Sequence, residues 1–401
     1  MTPRFKANIN YKEIIESLKF WHNDSVRRFE NKFSEISEQK YVTSFAYGRT
    51  GLYALLQALE INDKEVICPS YTCIVVANAI VKSGNKPVFV SSNKKDFNMN
   101  WQKVRLAITS DTKAIISTNL FGHPVDQDEI IKIKNEHPDI LIFQDCAHSF
   151  FAGKKDNTIN KFGDASFYGM NISKIITTIF GGVVATDNEN IHKKLISWKS
   201  KNSNRPKLYK TFLQFIYLVA AYFAFNKYVY PFVNYLERVG ILSRLTDYYD
   251  ENKIEMPRDF TDELSKIAAR VGFIQLTKYK EIIKHRRIIS SLYNEKLINE
   301  DKIYIPKCLD GSTYSHYVCT IDNADGFEKY MLKKGYQIGR IVNYNIVNIE
   351  IYRGYRLVGE NIMKNWPKKI INLPNHNGVN TILATEIANN LIEFVEQGKN
   401  Q

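Results

Sequence analysis

Cysteine is scarce in this chain of 401 residues, and the five that occur are scattered: Cys68, Cys73, Cys146, Cys308 and Cys319. No two have the Cys-x-x-Cys spacing that is typical of metal or redox sites, and together they do not make a disulfide framework. We therefore expect a protein of the reducing cytoplasm, with no metal site and no iron–sulfur cluster.

Two targeting or recognition signals are also missing. The N-terminal stretch MTPRFKANINYKEIIESLKF lacks the apolar core and the cleavage site of a secretory signal peptide. No recognition helix, zinc-finger spacing or RNP-like motif is present, so a nucleic-acid partner is not expected.

Acidic residues are fewer than basic ones: the chain has 42 Asp and Glu and 55 Lys and Arg, which gives a net charge of +13. A positive surface favours acidic partners such as phosphorylated metabolites or anionic lipid. The plainer alternative is a Lys-rich composition without a specific partner.

The first 200 residues alternate short apolar runs with amphipathic segments. The predicted strands are KEVICP, KPVFV, KAIISTNLFG and DILIFQD, and the predicted helices between them are YTCIVVANAIVKSG, WQKVRLAI and QDEIIKIKNEH. This alternation predicts an α/β domain with a mostly parallel central sheet covered by helices on both faces. In such sheets ligands bind at the carboxyl ends of strands, where Asp145 and the loop carrying Lys174 fall.

The length allows two or three domains. We predict an N-terminal helical segment at 1–40, a large α/β domain at 41–255, and a connecting helix with a smaller C-terminal α+β domain at 256–401. In the last part we predict one long helix over 261–297, strands over 314–321 and 336–341, and a final helix over 382–397.

A hydrophobic, aromatic-rich insertion at about 207–238 differs from the rest of the chain in composition. Residues 212–225 carry no charge and would be apolar around almost the whole helix. They are too few to span a bilayer, which takes roughly 20 residues. Two interpretations stay open: a buried helix, for example at a subunit interface, and an element lying in a membrane surface. The flanking cations that favour the second are Lys207, Lys210, Lys227 and Arg238.

Three points in the first half suggest one site, and the first is the segment from Gly48 to Gly51, which opens a predicted helix. A glycine-bearing helix N-terminus presents free N–H groups and suits a phosphate. Arg49 lies in the first turn, where a cation is unfavourable unless an anion is also present. The alternative is an exposed arginine at a frayed helix end.

The second point is FQDCAHSF, in which Asp145 ends a buried strand and His148 follows three residues later. A carboxylate there could hold a proton on a heterocyclic nitrogen. Alternatively, Asp145 caps the next turn and His148 is an ordinary core histidine.

The third point is Lys174, a single cation among apolar residues, hydroxyls and the Gly181-Gly182 pair. Desolvation lowers the pKa of a lysine, and a neutral amine can attack a carbonyl to form a Schiff base. An ordinary loop lysine is the alternative. A phosphate cradle, an acidic partner and an amine, in that order, are what a pyridoxal phosphate (PLP) enzyme needs.

With these residues the sequence resembles the DegT/StrS-type PLP-dependent sugar aminotransferase family, which has the aspartate aminotransferase fold (fold type I). The resemblance runs from about Phe45 to Gln397. The matching segments are YGRTGLYALLQAL, CPSYTCIVVANAIVKSGNKPVFVS, LFGHPVDQD, QDCAHSF, YGMNISKIITTIFGGVVAT and NLPNHNG.

The resemblance implies a role for each matching residue. Lys174 matches the lysine that links to PLP, Asp145 the aspartate against the pyridine nitrogen, and His148 the Gln or His near the ring. Gly48, Arg49 and Thr50 match the turn that binds the phosphate.

Four positions depart from the family pattern or lack a firm match. Gly169 stands where a phosphate-binding serine is usual, and Cys73 where an aromatic residue stacks on the ring. Arg49 replaces a threonine, and its guanidinium could supply the anion contact that Gly169 has lost. The asparagine that reaches the neighbouring subunit's phosphate is assigned to Asn202.

The activity implied is transfer of an amino group from an amino acid, by resemblance L-glutamate, to a nucleotide-linked keto-sugar in surface polysaccharide biosynthesis. A homodimer with a shared active site is expected, and peripheral membrane contact through 207–238 stays open. The alternatives are a dehydratase-type PLP enzyme, whose lysine is replaced by histidine, and a non-catalytic relative. Candidates for sugar recognition without a firm role are Arg340, Tyr344 and His316.

Overall fold

The structure is a computed structural model that describes residues 1–21, 23–154, 157–241, 250–307, 310–360 and 364–397. Of the residues named above, Cys308 lies outside this part of the chain. The strands are β1 (Tyr41–Phe45), β2 (Glu65–Pro69), β3 (Lys86–Val90), β4 (Thr112–Thr118), β5 (Leu141–Asp145), β6 (Gly153–Lys154), β7 (Asn157–Thr158), β8 (Ala165–Gly169), β9 (Gly182–Thr186), β10 (Tyr317–Thr320), β11 (Leu357–Val358) and β12 (Ile370–Leu373).

Eight strands form one sheet in the order β1-β9-β8-β5-β4-β2-β3-β11. All neighbours from β8 to β11 pair in parallel, and β9 alone runs antiparallel to both of its neighbours, β1 and β8. The predicted fold class, a mostly parallel α/β sheet, is confirmed.

Helices cover both faces of this sheet. The α-helices of the described residues, on this sheet and elsewhere, are α1 (Tyr11–Ser17), α2 (Ser25–Ser37), α3 (Gly48–Ala58), α4 (Ile74–Lys82), α5 (Trp101–Ala107), α6 (Gln127–Glu136), α7 (Glu189–Asn202), α8 (Leu208–Ala224), α9 (Tyr230–Arg238), α10 (Lys266–Thr277), α11 (Tyr279–Leu297), α12 (Ala324–Lys333) and α13 (Thr381–Gln397).

The two layers follow from the alternation of side chains along each strand. In β2, Val66 and Cys68 pack in a core with α3, α4 and α7, whereas Ile67 packs in the opposite core with α2, α5, α6 and α10. Because both faces of the central strands are buried, apolar residues occur on both faces, as the continuous runs in the sequence indicated.

The C-terminal part differs from the sequence prediction in two places. The single helix predicted over 261–297 is two helices that meet at Lys278, whose N–H donates to the carbonyl of Gln275 in a tightened turn while its ammonium pairs with buried Glu13. The strand predicted over 336–341 is only two isolated bridges, because Tyr336 pairs with Thr2 and Gly339 with Asn372 on different segments.

A C-terminal segment also returns to the large sheet. The short strand β11 pairs in parallel with β3, and Ile346 and Tyr352 are buried against the core that contains α3 and α4. The small sheet of β10 and β12 lies against α11, α12 and α13. The domain boundaries stay a prediction.

The hydrophobic insertion forms α8 and α9. One side of α8 packs against α1 and α10 through Leu218 and Ala221, and the other side is exposed. Within a single chain α8 is therefore not a buried helix. None of the helices in the described residues is long and apolar enough to cross a bilayer.

Candidate active site

An open pocket of about 910 Å³ lies at the carboxyl edge of the large sheet. Strands β4, β5 and β8 end there, and α3 and α4 begin there, so residues distant in sequence meet. The pocket brings together seven of the predicted site residues: Gly48, Arg49, Cys73, Asp145, His148, Gly169 and Lys174.

Close backbone contact between β8, β9 and the start of α3 shapes one end of this pocket. A Cβ atom on Gly48 would lie 2.6 Å from the Cα of Gly169, and one on Gly182 would lie 2.4 Å from the carbonyl carbon of Tyr47. No larger residue fits at Gly48 or Gly182 without moving backbone. The glycines therefore place the first turn of α3 directly against the strand ends.

Helix α3 starts at Gly48 without a side-chain cap. Its N-cap residue, Tyr47, directs its hydroxyl elsewhere, to Asp259 at 3.0 Å. The first turn has no acidic residue and carries Arg49, which lines the pocket. The positive end of the helix dipole and a guanidinium thus meet at one place, which suits an anion with several oxygens.

Asp145 ends β5 in a buried position opposite Thr118, its partner in register on β4. Its carboxylate accepts hydrogen bonds from the Ala147 N–H at 3.1 Å and the Thr118 hydroxyl at 3.4 Å. Burial raises the pKa of Asp145, while the Ala147 N–H and the charge of Lys174 oppose that rise. A carboxylate held in this way is oriented to accept a proton-bearing nitrogen.

Lys174 lies in the loop between β8 and β9 and lines the pocket. Burial lowers the pKa of its amine, and the charges of Cys73 and Asp145 oppose that shift. No ion pair to Lys174 occurs among the residues that the structure describes. The environment therefore favours the neutral, nucleophilic form of the amine.

His148 is buried next to the ring of Phe121, and its Nδ1 accepts the Phe121 N–H at 3.3 Å. Its ring centroid is 5.2 Å from that of His316. Burial first, and then the charges of Lys174 and His316, hold the pKa of His148 well below its usual value. A neutral imidazole is thus present beside the amine.

The pocket fits PLP on the chemistry of its donors. A desolvated amine, an oriented carboxylate and a helix N-terminus are the three groups that the aldehyde, the pyridine nitrogen and the phosphate require. Gly169 leaves open space, because a Cβ there would meet only Ala147 at 3.6 Å and Lys174 at 3.9 Å.

Five residues considered from the sequence do not line this pocket. His316 lines a neighbouring cavity, which Lys174 and Arg286 also line. The Thr50 hydroxyl donates to the carbonyl of Phe260 at 2.8 Å, and the exposed Asn202 amide donates to Trp198 in its own helix at 2.8 Å. Arg340 pairs with Asp325 at 2.7 Å. The Tyr344 hydroxyl accepts the N–H of Ile74 at the start of α4.

Several pocket residues were not among the predicted site residues, and Thr118, Tyr47 and Phe180 are examples. Thr118 could have been found, since it ends the strand beside β5 and parallel strands end at a common edge. Tyr47 and Phe180 directly precede Gly48 and Gly181, so their only sequence signal was their place beside residues already singled out.

Comparisons with known proteins agree with this geometry. The model of the DegT/DnrJ/EryC1/StrS aminotransferase family matches residues 6–392. An uncharacterised protein, MJ1066, of Methanocaldococcus jannaschii is 31% identical over 311 residues, which cover 76% of this chain and 72% of that protein.

Two named enzymes are also similar. GDP-perosamine synthase of Escherichia coli O157:H7 is 33% identical over 177 residues, 44% of this chain and 48% of the enzyme, so that match spans about half of the relative. A solved structure of the E. coli GDP-4-keto-6-deoxy-D-mannose-3-dehydratase with bound hydrated PLP has a TM-score of 0.76 at 17% identity, covering 98% of this chain and 99% of the other. At that identity the likeness shows the fold alone.

Proposed function

The chain belongs to the DegT/DnrJ/EryC1/StrS aminotransferase family, and from that premise we propose that it aminates a nucleotide-linked keto-sugar with L-glutamate as donor. The family is one of PLP-dependent sugar aminotransferases, so the enzyme class and the cofactor follow from membership. The donor, the sugar and a role in surface polysaccharide assembly are the parts of the proposal that need testing.

The observation that carries the proposal is Lys174, a buried amine without an ion-pair partner in the described chain that lines one pocket with Asp145. When bound there, PLP supplies the aldehyde for the covalent link and the ring that accepts electrons. Once released from that link, Lys174 Nζ carries the proton that leaves the donor's Cα. Asp145 keeps the pyridine nitrogen protonated, and its two hydrogen bonds fix its direction.

We assign the phosphate to the first turn of α3. The start of that turn, at Gly48, lies directly against Gly169, which has no side chain, and Arg49 lines the same pocket. Arg49 thus takes over the contact that a serine would make at 169, and Cys73 borders the ring in place of an aromatic residue.

The donor and the substrate fit the charge of the protein. A net charge of +13 attracts a dicarboxylic amino acid and a sugar that carries two phosphates. We propose a cytoplasmic homodimer whose two subunits complete each other's site, with Asn202 reaching the partner's phosphate. Contact of the 207–238 insertion with the inner membrane surface is a separate proposal, which is argued below.

The test is a screen of the second half-reaction. The holoenzyme is first converted with L-glutamate, which should shift its violet absorption to shorter wavelength and release 2-oxoglutarate. Nucleotide-linked keto-sugars are then added one at a time, and the matching sugar should restore the violet absorption and gain an amino group. If no amino acid changes the spectrum, transamination is wrong.

The same screen separates the dehydratase alternative. A dehydratase-type enzyme charged by glutamate would remove a hydroxyl from the keto-sugar and release the nitrogen as ammonia, so mass spectrometry would show a product that lacks one oxygen and has gained no nitrogen. Lys174 at the position of the linking lysine favours amination.

A further inference from the structure

Helix α8 exposes a continuous apolar stripe. Leu208, Phe212, Ile216 and Phe223 recur at helical spacing on the side opposite Leu218, and all four are exposed. Phe212 alone is 62% exposed. Large apolar side chains on one face of a helix indicate a surface that is covered by something other than water.

The stripe continues through the next turn and helix. Tyr228, in the turn before α9, is 80% exposed. Phe232 and Tyr235 on α9, and Val239 directly after its last residue, follow at helical spacing and are also exposed. We call the exposed aromatic and aliphatic side chains of residues 208–239 the α8–α9 face.

The segment that carries the α8–α9 face is mostly positive. Arg205 and Lys207 precede α8, Lys227 lies in the turn, and Arg238 ends α9, all exposed. Between Arg205 and Ile241 the sequence has a single carboxylate, Glu237, and this pairs with Arg4. The carboxylates that lie beside the start of α8 are Asp259 and Asp262, which both pair with Lys210, and Glu263. Four exposed cations beside an apolar face match an anionic lipid headgroup layer.

The helices are too short to span a bilayer. The 17 residues of α8 extend about 25 Å at 1.5 Å per residue, and the inner side of α8 is occupied by α1 and α10. We propose that the α8–α9 face lies flat in the headgroup region of a membrane rich in anionic phospholipid and anchors the protein there.

A second copy of the chain is a poorer occupant of this face. A twofold interface brings the same patch of both copies together, so the four exposed cations of one copy would lie near the four of the other. A membrane offers negative charge in place of that repulsion.

The anchor lies beside the active-site pocket. Tyr217 on the inner side of α8 contacts Phe180, with ring centroids 5.3 Å apart, and Phe180 lines the pocket of Lys174. Docking would therefore hold the pocket near the lipid headgroups. This anchoring does not depend on the transamination proposed above.

Flotation of the full chain with vesicles is the test. Vesicles of phosphatidylcholine with about one third phosphatidylglycerol should carry the protein upward in a density gradient, pure phosphatidylcholine vesicles much less, and high salt should weaken the binding. Absence from the floating fraction with anionic vesicles at low salt would overturn the proposal.

Paired substitutions locate the contact. Phe212→Ser with Phe232→Ser should lower the vesicle partition coefficient at least about tenfold. The matched control, Leu106→Ser with Ile298→Ser, changes side chains that are 69% and 71% exposed on other elements and should leave binding intact. Equal loss in both pairs would contradict the assignment.

The cations are tested in the same assay. Lys207→Gln with Lys227→Gln should weaken binding to anionic vesicles about tenfold or more, whereas Lys113→Gln with Lys329→Gln should not.

Sedimentation of the Phe212→Ser/Phe232→Ser variant tests whether a second copy of the chain covers this face instead. If the parent chain binds no vesicles and forms an oligomer that this variant breaks, the face is a subunit interface and the proposal is wrong. Reaction with PLP should be unchanged in every variant. A failure of the membrane proposal can therefore be told apart from a failure of the proposed catalysis.

Discussion

Two half-buried lysines lie in very different settings. Lys278 pairs with the fully buried carboxylate of Glu13 and donates to the Asn8 carbonyl at 3.3 Å. Lys174 has no such partner among the described residues and shares an open pocket with Asp145. Burial lowers the pKa of both amines, so burial does not distinguish them. The difference lies in the partner, because a paired lysine serves the fold and an unpaired one is left available for chemistry.

Replacing each lysine by alanine should have opposite consequences. Lys174→Ala is expected to slow conversion by L-glutamate at least about a thousandfold, since it removes both the covalent link and the proton carrier. Lys278→Ala should retain the reaction in whatever fraction is folded. Stopped-flow spectra of the two variants decide this, and substantial turnover by Lys174→Ala would remove the distinction between the lysines.

The free energy of unfolding should fall more in Lys278→Ala than in Lys174→Ala. Lys278→Ala leaves Glu13 as a buried charge without its cation, which typically costs about 3–5 kcal/mol of unfolding free energy. Lys174→Ala should change it by less than about 1 kcal/mol, because the lost packing of the stem is offset by removal of a desolvated amine. Urea unfolding of the cofactor-free variants measures both, with Glu13→Gln/Lys278→Met as the control that removes the whole pair.

Arg49, which lines the same pocket as Lys174, can be replaced by a residue with a hydroxyl. Arg49→Thr should weaken PLP binding about 10- to 100-fold, the usual worth of a hydrogen bond to a charged group. Adding Gly169→Ser should recover most of the lost PLP affinity, because a Cβ atom at 169 would meet nothing closer than 3.6 Å. Fluorescence titration with PLP gives both affinities. If the serine restores nothing, Arg49 does not substitute for it.

The smallest expected effect is a shift in the pH at which the amine reacts. The pKa of Lys174 is lowered, mainly by burial, whereas the bond and charge of Asp63 raise the pKa of exposed Lys86. A lower pKa leaves more neutral amine at a given pH, so acylation of cofactor-free protein should reach Lys174 at lower pH than Lys86. Peptide mass spectrometry across a pH series compares them, and the opposite order would contradict the assigned environment.

The sequence was sufficient for the central features. Short apolar runs that alternate with amphipathic segments predicted the parallel sheet, and the setting of Lys174 and Asp145 in a familiar order of motifs predicted their pocket. Each run or motif is local, and their order along the chain carries the prediction.

Features that depend on long-range contacts were not predicted from the sequence. The break at Lys278 follows a pairing with Glu13, which is far away in the sequence, and the pairing of 357–358 with β3 crosses the whole chain. Thr50 was assigned to the phosphate because it belongs to the matching turn of the family, but its hydroxyl donates to the carbonyl of Phe260. Whether Asn202 serves a partner subunit stays a prediction.

The most direct test of the central claim is to trap the covalent link itself. Purified protein is incubated with PLP, reduced with borohydride, digested and mapped by mass spectrometry. We expect a pyridoxyl adduct on Lys174 and an unmodified Lys278. An adduct that formed elsewhere while Lys174 stayed unmodified, or no adduct at all, would contradict the account.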